Sequence, residues 1–198
     1  MIALEPHRGF PDPQSDAQAL FRTLMGAMAR PGTLARIGPA PHRPSALPPG
    51  IAALALTLLD YDTPTWLDAA LGDAPEVTGY LRFHTGAPLT AEPAAAAFGL
   101  VGDPRRLPSL DRFALGTADY PDRSTTLLIE VDTLDDASGW HLSGPGIERS
   151  ARLAATPLPD GFAEQRRALE PLFPRGLDVV FVAGDRIAAL PRSTRLEV

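Results

Sequence analysis

Four polar segments of the sequence carry side chains that can bind a small anion. They comprise residues 82–88, 120–126, 142–147 and 191–195. Arginine guanidinium groups match the oxygen geometry of phosphate and phosphonate, and hydroxyl or imidazole groups supply further hydrogen bonds. Each segment is therefore a candidate functional loop, although none of them spells out a nucleophile with its base.

The last segment contains the strongest candidate for an anion site. Arg192 and Arg195 are separated by two hydroxyl residues, Ser193 and Thr194. Two guanidinium groups with neighbouring hydroxyls can surround a phosphate or phosphonate with charge-assisted hydrogen bonds. The alternative is that this segment is only a solvated strand end, where exposed charges contribute little.

The first segment places Arg82, His84 and Thr85 at the end of a predicted helix. These side chains can bind an anionic substrate, but basic residues at this position also stabilise the free carbonyl groups of a helix terminus. The sequence leaves both interpretations open. A shared substrate site requires residues 82–85 and 192–195 to converge in one groove. We predict that they do so.

The two middle segments have simpler interpretations. Gly144 and Gly146 flank a proline in a tight turn that lacks the third glycine of a dinucleotide-binding loop. Asp122 and Arg123 either belong to a functional loop or pair with each other across a turn. Neither segment carries a specific catalytic signature.

Two residue types are absent from the sequence, and their absence excludes several chemistries. All eighteen basic side chains are arginine, so no lysine exists to form an imine with pyridoxal phosphate. No cysteine exists to hold an iron–sulfur cluster or a thiolate-bound zinc ion. The four histidines, at positions 7, 42, 84 and 141, show no metal-ligand spacing. We therefore expect no metal and no cofactor.

Charge and hydropathy limit the possible partners and the location. A formal net charge of −6 argues against a broad nucleic-acid-binding face. The first residues lack the basic and apolar regions of a signal peptide, and no apolar run reaches the roughly 20 residues that span a membrane. We therefore predict a cytoplasmic protein without nucleic-acid or membrane partners.

The 198 residues are enough for one substantial domain. We predict a single α/β domain over residues 1–198, with an N-terminal extension at 1–13 and a proline-rich irregular segment at 38–50. Hydrophobic periodicity predicts helices over 15–29, capped by Ser15, and over 160–172. A nearly continuous apolar run predicts a buried helix over 51–59, and Asp73 as a cap with Pro75 in the first turn predicts one over 75–83. Strands are predicted over 33–37, 65–67, 97–101, 125–131 and 140–143, with a final hairpin of 179–183 and 186–190. Together they indicate a mixed sheet flanked by helices.

Several of these motifs, taken in chain order, resemble the PhnH family of phosphonate metabolism. The resemblance rests on residues 21–32, 58–67, 82–88, 142–147, 173–178 and 191–195. It runs from about residue 14 to the C-terminus, with Ser193 at a position where the family pattern leads us to expect threonine.

The resemblance implies a subunit of the carbon–phosphorus lyase complex that assembles with PhnG, PhnI and PhnJ. This complex makes a ribose 1-phosphonate 5-triphosphate from a nucleoside triphosphate and an alkylphosphonate. The resemblance also implies a homodimer in isolation, and a fold like a reduced large domain of a pyridoxal-phosphate-dependent transferase without the cofactor. It provides no catalytic residue.

Two roles remain open for such a subunit. The first is a non-catalytic component that binds partners and stabilises the assembly. The second is a catalytic or substrate-binding component with an anion site formed by Arg82, His84 and Thr85 together with residues 192–195.

Overall fold

The computed structural model of the chain describes residues 8–197. This part of the chain contains five α-helices: α1 (Pro13–Ala29), α2 (Pro49–Leu58), α3 (Ala69–Gly72), α4 (Pro75–Thr85) and α5 (Phe162–Leu169). Four short 3-10 turns lie at Pro93–Ala95, Pro104–Arg106, Leu110–Arg112 and Glu170–Leu172. The ten strands are β1 (Ala35–Arg36), β2 (Thr65–Leu67), β3 (Leu89–Thr90), β4 (Phe98–Val101), β5 (Thr126–Glu130), β6 (Thr133–Ser143), β7 (Ala151–Thr156), β8 (Asp178–Ala183), β9 (Arg186–Leu190) and β10 (Arg195–Glu197).

Seven strands form a mixed sheet in the order β1-β9-β8-β5-β4-β2-β3. The strands from β3 to β8 are parallel, whereas β9 and β1 join as antiparallel strands at one edge. The central strands β5 and β8 are almost continuous runs of buried apolar residues, as expected for strands covered on both faces. The predicted α/β class and mixed sheet are confirmed.

Alternating side chains of the large sheet divide the core into two clusters. Val180 and Val182 face the cluster formed by α1, α2 and α4, which we call the three-helix face. Val179 and Phe181 face the cluster formed by α5 and a second sheet, which we call the α5 face. Loops that pack on opposite faces are separated by the large sheet. The division therefore determines which loops can form a common site.

The second sheet is antiparallel, has the order β10-β6-β7, and was not predicted. We expected a strand only at 140–143, but β6 begins at Thr133. Its register shifts between Asp135 and Trp140, and residues 135–139 are exposed and include no large apolar side chain. This irregularity breaks the apolar alternation by which a strand is recognised.

Four helices were predicted close to their observed bounds, but two predicted caps are wrong. The helix α1 is capped by Asp12, whose carboxylate accepts a hydrogen bond from the Ser15 N–H at 3.2 Å. Pro13 fits the first turn because its missing N–H would have no partner there. Asp73 lies at the end of α3, and α4 begins after Ala74 without a side-chain cap.

The predicted C-terminal hairpin is confirmed as β8 and β9. Gly184 has the positive φ of 61° that a two-residue hairpin turn requires at its first central position.

Within residues 8–197, no helix combines the length and the apolar character needed to cross a membrane.

Candidate functional site

Three loops on the α5 face enclose a groove of about 370 Å³, which we call the α5 groove. It lies between the β6–β7 turn, the end of the 3-10 turn after α5, and the segment that leads into β10. Its lining residues are Gly144, Pro145, Glu170, Phe173, Arg192, Ser193 and Arg195. The groove thus unites three segments that were singled out in the sequence.

The glycines of the β6–β7 turn are required by close packing. Gly144 has φ 132°, and a Cβ at this position would lie 2.8 Å from the carbonyl oxygen of Ser193. Gly146 has φ 84°, and a Cβ there would overlap the carbonyl oxygen of Ala29 at the end of α1. The turn is therefore wedged between α1 and the C-terminal segment, which supports its interpretation as a structural turn.

Arg192 is held by groups of its own chain. Its guanidinium group forms an ion pair with the Asp178 carboxylate at 2.5 Å and also donates a hydrogen bond to the carbonyl of Pro121. The Arg192 backbone N–H donates to the same carboxylate at 2.8 Å. Because the two side chains are only 18% and 14% exposed, the charge of Arg192 is largely balanced inside the protein.

Arg166 holds the backbone of the segment that lines the groove, and the sequence analysis did not single this residue out. This side chain is 1% exposed, and its guanidinium group donates to the carbonyls of Pro191 at 2.6 Å and Thr194 at 3.3 Å. Burial lowers the pKa of Arg166, while the nearby carboxylates of Glu170 and Asp178 raise it. The sequence did indicate the buried position of Arg166, because this residue follows Phe162 by four positions and therefore lies on the apolar face of α5.

Two side chains remain available at the groove surface. Arg195 is exposed, and Phe173 exposes 60% of its surface beside Pro145. Glu170 is less available, because its carboxylate accepts a hydrogen bond from the Leu196 N–H at 2.9 Å. The groove therefore presents an aromatic ring and one cation.

Thr194, also part of the predicted anion site, faces inward. Its side chain is fully buried, and its hydroxyl has no hydrogen-bond partner among the described residues. Of the four residues 192–195, only Ser193 and Arg195 line the groove without being tied into the ion pair beneath it.

The other predicted segment lies at the end of α4, on the three-helix face. The Thr85 hydroxyl donates to the Leu81 carbonyl at 2.7 Å and accepts from the Ala87 N–H, so it closes the helix end. Arg82 is exposed, and His84 lines a separate cavity. A single chain therefore does not bring residues 82–85 and 192–195 together, because they pack on opposite faces of the large sheet. Their roles in anion binding remain predictions.

The segment at 120–126 lies beside the α5 groove, because the carbonyl of Pro121 accepts a hydrogen bond from Arg192. The guanidinium carbon of Arg123 lies 4.2 Å from the ring centroid of Tyr120. Among the described residues, no ion pair joins Arg123 to Asp122, so the predicted pairing across the turn is not formed.

Glu130 is a half-buried carboxyl at the C-terminal end of β5, and the sequence did not point to it. Burial raises the pKa of Glu130 to about 7, against a weaker lowering by the Gly184 N–H and Arg43. One of its oxygens has no hydrogen-bond partner among the described residues.

Within residues 8–197, no three His, Asp or Glu side chains are grouped so that they could hold a metal ion.

Comparisons with known proteins identify relatives of the whole described chain. The model of the family described as bacterial phosphonate metabolism protein (PhnH) matches residues 8–197. A protein of Rhizobium meliloti (strain 1021), named alpha-D-ribose 1-methylphosphonate 5-triphosphate synthase subunit PhnH, is 42% identical over 190 residues, or 95% of this chain and 94% of its own. A protein of Stutzerimonas stutzeri, named putative C-P lyase subunit protein HtxG, is 27% identical over 181 residues, or 91% of this chain and 86% of its own.

Proposed function

The chain belongs to the PhnH family of bacterial phosphonate metabolism proteins, and we propose that it is a partner-binding subunit of α-D-ribose 1-methylphosphonate 5-triphosphate synthase. The Rhizobium meliloti relative is named as a subunit of that enzyme, and the similarity covers nearly the full length of both chains. The proposed partners are the subunits PhnG, PhnI and PhnJ, and in isolation the chain pairs with itself.

The partner-binding role rests on the observation that two arginines at the α5 groove interact with groups of their own chain and are not free to bind an anion. Arg192 is neutralised by Asp178, and Arg166 is buried against backbone carbonyls. Both cations therefore fix the shape of the loops. The large exposed feature that remains is the Phe173 ring, and exposed aromatic side chains next to a cavity are typical anchors of protein interfaces.

A second candidate function is an anion-binding or catalytic component of the same enzyme. The exposed guanidinium of Arg195 next to Ser193 favours it, since this pair can still donate hydrogen bonds to a phosphate or phosphonate. In this alternative, Arg192 and Thr194 position the segment. Arg82, His84 and Thr85 would act at a separate place on the three-helix face.

We further infer that the chain works in the cytoplasm as one domain, with a scaffold like a reduced pyridoxal-phosphate-dependent transferase domain. The parallel centre of the large sheet is compatible with such a scaffold. The sequence has no lysine for an imine, so this scaffold would work without pyridoxal phosphate.

Reconstitution with the other subunits tests the partner-binding role. We expect Phe173→Ala to weaken co-purification with PhnG, PhnI and PhnJ by tenfold or more, because truncation of an aromatic anchor typically costs about 2 kcal/mol or more. Phe83→Ala is a matched control, since Phe83 is also exposed but lies on the opposite face of the sheet. Unchanged co-purification of Phe173→Ala would exclude the groove as the docking site.

The same preparation separates the two candidate functions. If the chain is a partner-binding subunit, Arg195→Ala should leave the rate of the assembled enzyme unchanged once assembly is complete. A large loss of rate in a fully assembled Arg195→Ala complex would instead favour the anion-binding role.

A further inference from the structure

We propose that β7 is the strand through which two copies of the chain pair, by antiparallel strand addition across a two-fold axis. The proposal rests on the self-pairing included in the proposed function and assigns a surface to it. β7 lies at one edge of the small sheet, whose order is β10-β6-β7. Within residues 8–197, β7 pairs with β6 on one side and with no strand on the other. We call this unpaired side the free edge of β7.

The other three sheet edges are short, and one of them is also covered. β1 and β3, at the two edges of the large sheet, contain two residues each. β10 contains three residues, and the N–H of Leu196 at its centre donates to the Glu170 carboxylate. Short and covered edges are common in natural proteins, because an exposed edge strand binds other strands. β7 has six residues, none of them proline or lysine, so it lacks these forms of protection.

The conformation of β7 is fixed by packing on its inward face. Leu153 and Ala155 are buried in the core of the α5 face. The turn after α1 lies against the same face, since a Cβ on Gly32 would be only 2.8 Å from the Cβ of Ala151. The strand is therefore ordered before a second copy binds, which lowers the entropic cost of pairing.

The burial pattern of β7 determines how two copies can align. Leu153 and Ala155 face inward, whereas Arg152 and Thr156 are exposed on the solvent face. Directly opposed side chains of antiparallel strands share a face, so the two-fold axis must pass through a residue and not between two residues. An axis at Ala154 places Leu153 opposite Ala155 of the second copy, a large side chain against a small one.

The same alignment separates the charges of the two strands. Arg152 is the charged residue of β7, and its guanidinium group hydrogen-bonds to the His141 ring of β6 at 2.9 Å. With the axis at Ala154, the two arginines are four residues apart along the strands, or about 13 Å, which exceeds the Debye length. An axis at Leu153 would make them diagonal neighbours at roughly 7–8 Å. Charge and packing therefore both favour the axis at Ala154.

Disulfide cross-linking of the full-length chain tests the alignment. The sequence contains no cysteine, so Ala154→Cys introduces a single thiol. In the proposed pairing this thiol lies opposite its own copy, where Cα atoms about 4.5–5.5 Å apart suit a disulfide. Mild oxidation should convert most of the protein into a covalent dimer on non-reducing gels. The matched control is Met25→Cys, exposed on α1, which should stay monomeric on the same gels.

A charge at the axis tests the pairing without oxidation. Ala154→Lys places two like charges directly opposite each other, so we expect the dimer dissociation constant to rise about fivefold or more. Sedimentation measures this constant, and an unchanged circular dichroism spectrum confirms that the variant is folded. Ala70→Lys adds the same charge at an exposed position of α3 and should dimerise like the wild-type chain.

Three results would overturn the proposal. Unchanged dimerisation of Ala154→Lys, or a cross-link in Met25→Cys but not in Ala154→Cys, would remove the assignment to β7 and leave the self-pairing intact. A wild-type chain that remains monomeric would remove both. Each of these results leaves the partner-binding role of the α5 groove untouched, because that role is measured by co-purification of Phe173→Ala.

Discussion

The ion pair of Arg192 and Asp178 joins the start of β8 to the segment after β9. Its two side chains are mostly buried and exchange several hydrogen bonds. Removal of one partner from such a pair leaves the other charge poorly solvated, which costs more than the pair itself contributes.

We expect Asp178→Asn to lower the free energy of unfolding by about 2–3 kcal/mol, measured by urea denaturation. The control is Asp185→Asn, which breaks the pair of Asp185 with Arg36. Those side chains are 59% and 81% exposed, so the control should change stability by less than about 0.5 kcal/mol. Equal effects of the two substitutions would mean that Arg192 does not depend on Asp178.

Glu130 should make stability depend on pH. Its pKa is raised from the ordinary 4.5 to about 7, so between these values the folded chain holds a proton that the unfolded chain has released. The contribution of Glu130 to stability is therefore greatest below pH 4.5 and falls as the pH rises towards 7, by roughly 2–3 kcal/mol after allowance for partial exposure.

Glu130→Gln removes this titration, so the variant should be more stable than wild type at pH 8 and should lose this decline with pH. Denaturation curves recorded from pH 4 to pH 8 measure the effect. Glu148→Gln, at an exposed position, should follow the wild-type curve. A Glu130→Gln curve that falls as steeply as wild type would contradict the assignment.

At the scale of elements, the sequence predicted what depends on local pattern. The helix α1 has a regular apolar period and ends before Pro31, α2 is a continuous apolar run, α4 has Pro75 in its first turn, and the β8–β9 hairpin consists of two apolar runs joined at Gly184. The second sheet lacks such a pattern, because the first half of β6 is exposed and irregular. Its strands form through pairing with segments that are distant in the sequence, and local hydrophobic periodicity does not reveal such pairing.

The same distinction explains the candidate site. The sequence identified Gly144, Phe173 and Arg195 as parts of separate motifs, and all three line the α5 groove. It could not assign residues 82–85 and 192–195 to opposite faces, because strand order and the face of each connection decide this placement.

The β6–β7 turn gives a prediction at this scale. Gly146→Ala introduces a Cβ both at a positive φ and against the carbonyl of Ala29. We expect a loss of stability of about 2–4 kcal/mol in thermal or urea unfolding. Gly161→Ala is the control, because Gly161 has φ 78° but no atom within 4 Å of a Cβ, and it should lose only about 1 kcal/mol. Similar losses would show that the turn can move away from α1.

For the whole molecule, we predict a homodimer in the absence of other subunits. Exposed large apolar side chains occur in several places, among them Phe21 and Met25 on one side of α1. Light scattering should give twice the 21.0 kDa chain mass at micromolar concentration. A 21.0 kDa particle over a wide concentration range would contradict this prediction.

The position of the last hairpin in the large sheet affects how the chain can fold during synthesis. The strands β8 and β9 lie between β5 and β1, so β1 has no neighbour until the final part of the chain has been made. The helix α1 packs on β9 and must wait for the same segment. A nascent chain emerging from the ribosome can therefore pack its first helix against α2 but not against β9, and pairing between such distant segments is slow and exposed to aggregation. Recombinant chains that end before residue 178 should consequently collect in inclusion bodies, however well their local segments are formed.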